Sequence, residues 1–184
     1  CCRFGCTSLR RGLTQVLAPT MRLLIPLLLS ISLIAQAGEH YTVSEGPEAA
    51  VAALSRAAGQ ETLQPIDSGS VRVWTRDYML GRVQGFLMSG KKTLWCRMSS
   101  TYADGVVSLG SARCRPIRGR TEALEAINRL PVFSRSEWNC PLMDGGEVYV
   151  ERVEGEKVSV VRVGNPDACE DSESQALAAA LSKL

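Results

Sequence analysis

SVRVWTRDYMLGRVQGFLM, residues 70–88, holds two runs rich in β-branched and aromatic residues, 70–78 and 81–88, joined through Met79-Leu80. Rough alternation sends Val71, Val73 and Thr75 one way and Arg72, Trp74 and Arg76 the other, the period-two pattern of strands. Downstream, a turn at Ser89-Gly90-Lys91 leads to two more predicted strands, 93–99 and 106–114, around Tyr102-Ala103-Asp104-Gly105. Residues 147–153 and 156–163 form a predicted hairpin joined at Glu154-Gly155.

Helical signals bracket these strands. Gly46-Pro47-Glu48 opens a helix reaching about Ala58, with proline where no amide donor is needed and glutamate at the positive end of the dipole. Thr121 caps a second helix through Leu124, Ile127 and Leu130, stopped at Pro131. After a turn at Gly164-Asn165-Pro166-Asp167, Ser172-Glu173-Ser174-Gln175 matches the capping box ahead of ALAAAL. The order helix, four strands, helix, two strands, helix implies an α+β fold. Its simplest form is an antiparallel sheet of about six strands with two or three helices packed on one face, stapled by two disulfides.

The environment is set by MRLLIPLLLSISLIAQA, residues 21–37: a charged start at Arg22, an apolar run and small residues at Ala35 and Ala37, the build of a cleaved export signal. Interrupted by Pro26, the run is shorter than the roughly 20 apolar residues that span a membrane. Residues 1–20 are expected to be upstream or mis-started leader outside the fold, 21–37 a cleaved signal peptide, and 38–184 one exported domain, periplasmic or secreted, without a membrane span. Four of the 21 basic residues (Arg3, Arg10, Arg11 and Arg22) precede Gly38 while all 19 acidic ones follow it, so the remainder carries a formal net charge of 17 − 19 = −2. That balance does not call for a nucleic-acid partner.

Four cysteines follow Gly38: Cys96, Cys114, Cys140 and Cys169. In an exported chain they read as two disulfides, with three connectivities open. Cys96 and Cys114 are symmetric about Gly105, and Cys140 and Cys169 about the point between Glu154 and Gly155, so each pair flanks a predicted hairpin. Cys96–Cys114 and Cys140–Cys169 are the expected bridges.

Catalytic constellations are scarce. His40 is the chain's one histidine and precedes the first helix, near the proposed mature terminus, where an imidazole lacks the rigid partner a triad or zinc site needs. Oxidised cysteines supply neither thiolates nor metal ligands. Residues 85–91 match part of a phosphate-binding loop, but Lys92 stands where Ser or Thr must hold magnesium, and a strand rather than a helix follows. No catalytic, cofactor or metal residue is assigned.

Among the carboxylates, Asp77, Asp104, Asp144, Glu147 and Glu151 lie on or near strands, where a pair could serve a glycosidase. Asp104 and Asp144 precede glycines as turn formers, Glu147 is expected to face Arg162 across the hairpin, and charges on a sheet face are usually solvated. Arg113, Arg115, Arg118 and Arg120 crowd one loop, and acidic residues from Glu151 to Glu173 gather toward the C-terminus. The arginines read first as a solvated loop, without interleaved aromatics, and second as a patch for a phosphate-bearing lipid, a nucleic acid or an acidic protein. Trp74, Trp95 and Trp138 read as core. The expected function is a non-enzymatic binding or accessory module of the cell envelope with a protein or envelope partner. A carboxylate-dependent envelope hydrolase and a purely structural component are the alternatives.

Overall fold

Among the described residues, nine strands build one curled sheet: β1 His40–Thr42, β2 Val71–Asp77, β3 Arg82–Ser89, β4 Lys92–Ala103, β5 Val106–Leu109, β6 Arg113–Pro116, β7 Glu137–Asn139, β8 Gly146–Glu154 and β9 Lys157–Gly164. Their order is β1-β5-β4-β3-β2-β8-β9-β7, with β6 also paired to β4. Three α-helices accompany it, α1 Pro47–Ala57, α2 Thr121–Asn128 and α3 Ser172–Leu181. The computed structural model describes residues 38–184 apart from 91, 132 and 141–144. The expected leader and signal segments, the turn residue Lys91, and Asp144 lie outside the described residues.

The α+β class, the three helices and both disulfides match expectation, but the sheet is larger and mixed. β1, β6 and β7 are only three or four residues long, too short to show an alternation. β7 runs parallel to β9, the one parallel pairing in the sheet. The expected strand 106–114 is two strands. Asp104 and Gly105, both at positive φ (51° and 80°), make the tight turn of β4 into β5. Ser100 pairs with Leu109, then Arg97 with Arg113, so three residues of β4 oppose four of the returning chain. This one-residue bulge at 110–112 starts β6 and places Cys96 opposite Cys114.

The helices occupy both faces rather than one. Alternation along β2 sends Val71 and Val73 to a core with Leu124 and Ile127 of α2, Leu177 of α3, Trp138, Val150 and Val161. Trp74 points to a second core with Val51 and Leu54 of α1, Tyr41, Leu87 and Met98. Gly85 pairs with Trp74 across the strands, and a methyl there would overlap the indole, so glycine is what lets this ring lie flat on β3. At α3 the cap is Asp171, whose side chain accepts from the Ser174 amide at 2.9 Å, rather than Ser172.

Cys140–Cys169 forms as expected, by a different route. The β8–β9 turn is Gly155-Glu156, with Glu154 opposite Lys157, one residue later than the sequence reading. Cys140 instead follows β7 and donates its amide to Gly164 O at the end of β9. The symmetry about residue 154.5 was therefore arithmetic coincidence.

Candidate functional site

Two groups of arginines lie on opposite faces of the sheet. On the α1 face, Arg76 and Glu147 extend from β2 and β8 and Arg162 from β9, and here the expectation of a solvated charged face fails. Glu147 is 1 % exposed and Glu151 2 %. Arg76 Nη1 donates to Glu147 Oε1 at 3.0 Å, and Arg162 Nε to Oε2 at 3.0 Å. Tyr41 OH donates to Oε1 at 3.3 Å and Tyr78 OH to Oε2 at 2.9 Å. Glu147 and Arg162 were expected to face each other directly; they do meet, but on a diagonal, since Glu147 stands opposite Gly164 and Arg162 opposite Tyr149.

Burial pushes the Glu147 carboxyl up, but the Arg76 hydrogen bond and the Arg162 charge outweigh it and hold the group below the usual carboxylate range. Burial beside this carboxylate pushes the Tyr41 hydroxyl up to about 12. At the other end of β8, Glu151 accepts from the Leu63 amide at 3.0 Å and meets Arg72 at 3.5 Å, and burial raises it above the usual range.

Glu147 and Glu151 do not form a glycosidase pair with each other. Glu147 and Glu151 are four residues apart on one strand, about 13 Å, beyond the roughly 5–10 Å of glycosidase pairs. Both oxygens of Glu147 are already engaged by donors. Asp77 accepts the Leu80 amide in the β2–β3 turn, and Asp104 occupies its hairpin turn. His40 is exposed on β1, with Ser108 opposite. The Cys140 and Cys169 sulfurs and an Asp171 oxygen lie within 4.8 Å of one another, but the two sulfurs are bonded to each other, so no thiolate faces the carboxylate. Arg152, 1 % exposed, donates to the Ile127, Leu130 and Pro131 carbonyls at 2.6–2.9 Å, closing the C-terminal end of α2.

The opposite face presents a different set. Where α2 and α3 leave the sheet uncovered, β3 contributes Arg82 and Gln84, β4 Trp95 and Arg97, and β6 Arg113 and Arg115. Trp95 lies opposite Arg115, and Arg97 opposite both Arg113 and Gln84. The Arg115 guanidinium stacks 4.9 Å from the centre of the Trp95 ring, whose Nε1 donates to Gln84 Oε1 at 3.3 Å. A groove of about 390 Å³ runs between Arg82, Trp95, Arg97, Ser99, Ser111 and Arg113.

None of Arg82, Arg97, Arg113 and Arg115 makes an ion pair with a described residue, whereas Arg72, Arg76 and Arg162 all do. Asp77 stands opposite Arg82 across the β2–β3 pairing. Like charges set directly opposite in an antiparallel pair are destabilising. The Cys96–Cys114 bridge sits between the Trp95–Arg115 and Arg97–Arg113 pairs and clamps the repelling strands together.

Sequence reading found half of this face. Arg113 and Arg115 stand out as a basic run, but in a strand rather than a loop, and Arg120 turns away to Lys183 O at 2.7 Å. Trp74 and Trp138 are core, as read, while Trp95 is half-exposed at the centre of the arginines. The interleaved aromatic was 20 residues distant in sequence from Arg115 and comes beside it only through the β4–β6 pairing. No family model matches the chain, and comparisons with curated proteins and with solved structures return no match.

Proposed function

We propose that this protein is a non-enzymatic binding module of the cell envelope, and that it holds an anionic macromolecular partner on the Arg82–Trp95–Arg97–Arg113–Arg115 face. One observation carries the reading: Arg72, Arg76 and Arg162 on the α1 face each reach a carboxylate, yet Arg82, Arg97, Arg113 and Arg115 stand around the partly exposed Trp95 without an ion pair among the described residues, two of them directly opposed. Such an arrangement costs the free protein stability and is relieved by an anionic surface. The domain's slightly acidic total makes this local concentration of positive charge a feature of placement, not of composition. Export is part of the same proposal. It is supported by the 21–37 segment and by two disulfides, which persist in oxidising compartments. Among the described residues no helix is long and apolar enough to cross a membrane.

The engaged oxygens of Glu147 favour binding over the hydrolase alternative. The test is retention of the purified protein on heparin, used as a generic polyanion, and co-sedimentation with phosphatidylcholine vesicles with and without phosphatidylglycerol. Retention that falls with salt, and is lost in an Arg97→Glu/Arg113→Glu variant of unchanged circular dichroism, is expected. Salt-independent retention, or a variant that binds as well, overturns the assignment.

A further inference from the structure

Beyond the basic face, the α1 face opens a cleft of about 440 Å³ between the β2–β3 connection, β4 and β9. Arg76, Tyr78, Ser100, Tyr102 and Arg162 line it, with Val43 and Gly81 completing the wall. The volume falls within the roughly 300–1,000 Å³ of small-ligand sites. Arg76 and Ser100 are each 5 % exposed, and neither Arg76 Nε nor Ser100 Oγ has a hydrogen-bond partner among the described residues. Buried polar atoms are normally satisfied, and both of these orphans belong to side chains that line the same cleft. The Arg76 guanidinium is flanked by the Tyr78 ring at 4.9 Å and the Tyr102 ring at 5.6 Å. Tyr78 is 43 % and Tyr102 61 % exposed, so both rings are reachable at the mouth.

Charge selects the ligand. Arg76 and Arg162 supply two positive charges and Glu147 returns one negative, leaving a net of one positive charge. A monoanion balances it, whereas a dianion would leave excess charge against Glu147 in a poorly solvated site. The planar guanidinium matches a carboxylate. We propose that this cleft is a separate binding site for the carboxylate of a small ligand or chain terminus, with Arg76, Arg162 and Ser100 holding the anion and Tyr78 and Tyr102 contacting the group that bears it.

The probes are an acetyl-Gly-Phe dipeptide with a free carboxylate, the same dipeptide amidated, glucuronate, and inorganic phosphate, each titrated into the ¹⁵N-labelled protein. Saturable shifts of the Arg76 Nε–H and Tyr102 signals are expected with the free-acid peptide or with glucuronate, and whichever binds identifies a peptide or a sugar-acid source. Ser100→Ala should weaken that binding about five-fold, the loss of one hydrogen bond, and Tyr102→Ala should weaken it as well. Arg97→Glu/Arg113→Glu should leave it unchanged, which separates this site from the basic face. Binding of neither carboxylate, equal binding of the amidated peptide, or tighter binding of phosphate overturns the proposal.

Discussion

Glu147 carries a full charge where water is excluded, and it does so because four donors converge on two oxygens. Removing one partner of a buried pair typically costs about 3–5 kcal/mol, since the other charge is left uncompensated. Glu147→Gln should therefore destabilise the protein by that order at neutral pH in chemical denaturation. Its folded pKa lies below the ordinary 4.5, so the wild-type advantage is present above 4.5 and is lost as pH falls through the folded value. The gap between wild type and variant should shrink only in that acidic window, and a gap unchanged well below it contradicts the ion-pair account.

Glu151 has the opposite sign. Its raised pKa means that its contribution is present below 4.5 and lost as pH rises through the folded value, so Glu151→Gln, which still leaves Arg72 without its carboxylate, should cost less at neutral pH than Glu147→Gln. Gly85 is constrained sterically: Gly85→Ala should cost about 1–3 kcal/mol by displacing Trp74, measured as a lower denaturation midpoint with unchanged slope.

At the level of elements, much of the sheet was legible and its second buried face was not. Val71, Val73 and Thr75 alternate with Arg72, Trp74 and Arg76, and an arginine-bearing side ordinarily reads as the wet one. Partners from β8, 71 residues on in sequence for Arg76–Glu147, neutralise that side and allow α1 to cover it, which no local pattern records. The Cys96–Cys114 bridge was readable because the Asp104-Gly105 turn is strong and the bulge shifts the register by a single residue. The β8–β9 register was misjudged by one residue because both 154–155 and 155–156 hold the one glycine of that turn.

The clamp makes its own prediction. With Cys96 and Cys114 replaced by alanine, repulsion between Arg97 and Arg113 should loosen β6 from β4. A bridge closing a loop of this size contributes about 3 kcal/mol in the chain-entropy model. The additional signature expected here is salt dependence: raising ionic strength should recover part of the loss and slow amide exchange in β6, by screening the two arginines. A loss indifferent to salt would assign the bridge to chain entropy alone.

Across the whole molecule, one sheet separates two uses of arginine. On one side, Arg72, Arg76 and Arg162 are bound into ion pairs that let charged strands be covered by α1. On the other, Arg82, Arg97, Arg113 and Arg115 surround Trp95 without an ion pair among the described residues. The candidate face draws on β3, β4 and β6, so composition and charge alone, which leave the domain mildly acidic, could not display it. The β4–β6 pairing does, by turning two dispersed runs into one surface.

The most direct measurement is heteronuclear NMR during titration with heparin, following the Trp95 indole N–H together with the backbone amides. Saturable, salt-sensitive shifts centred on Trp95 and running through Arg82, Arg97 and Arg113–Pro116 are expected. Shifts confined to the α1 face, or a Trp95 indole signal unmoved at saturation, would contradict the proposed binding face.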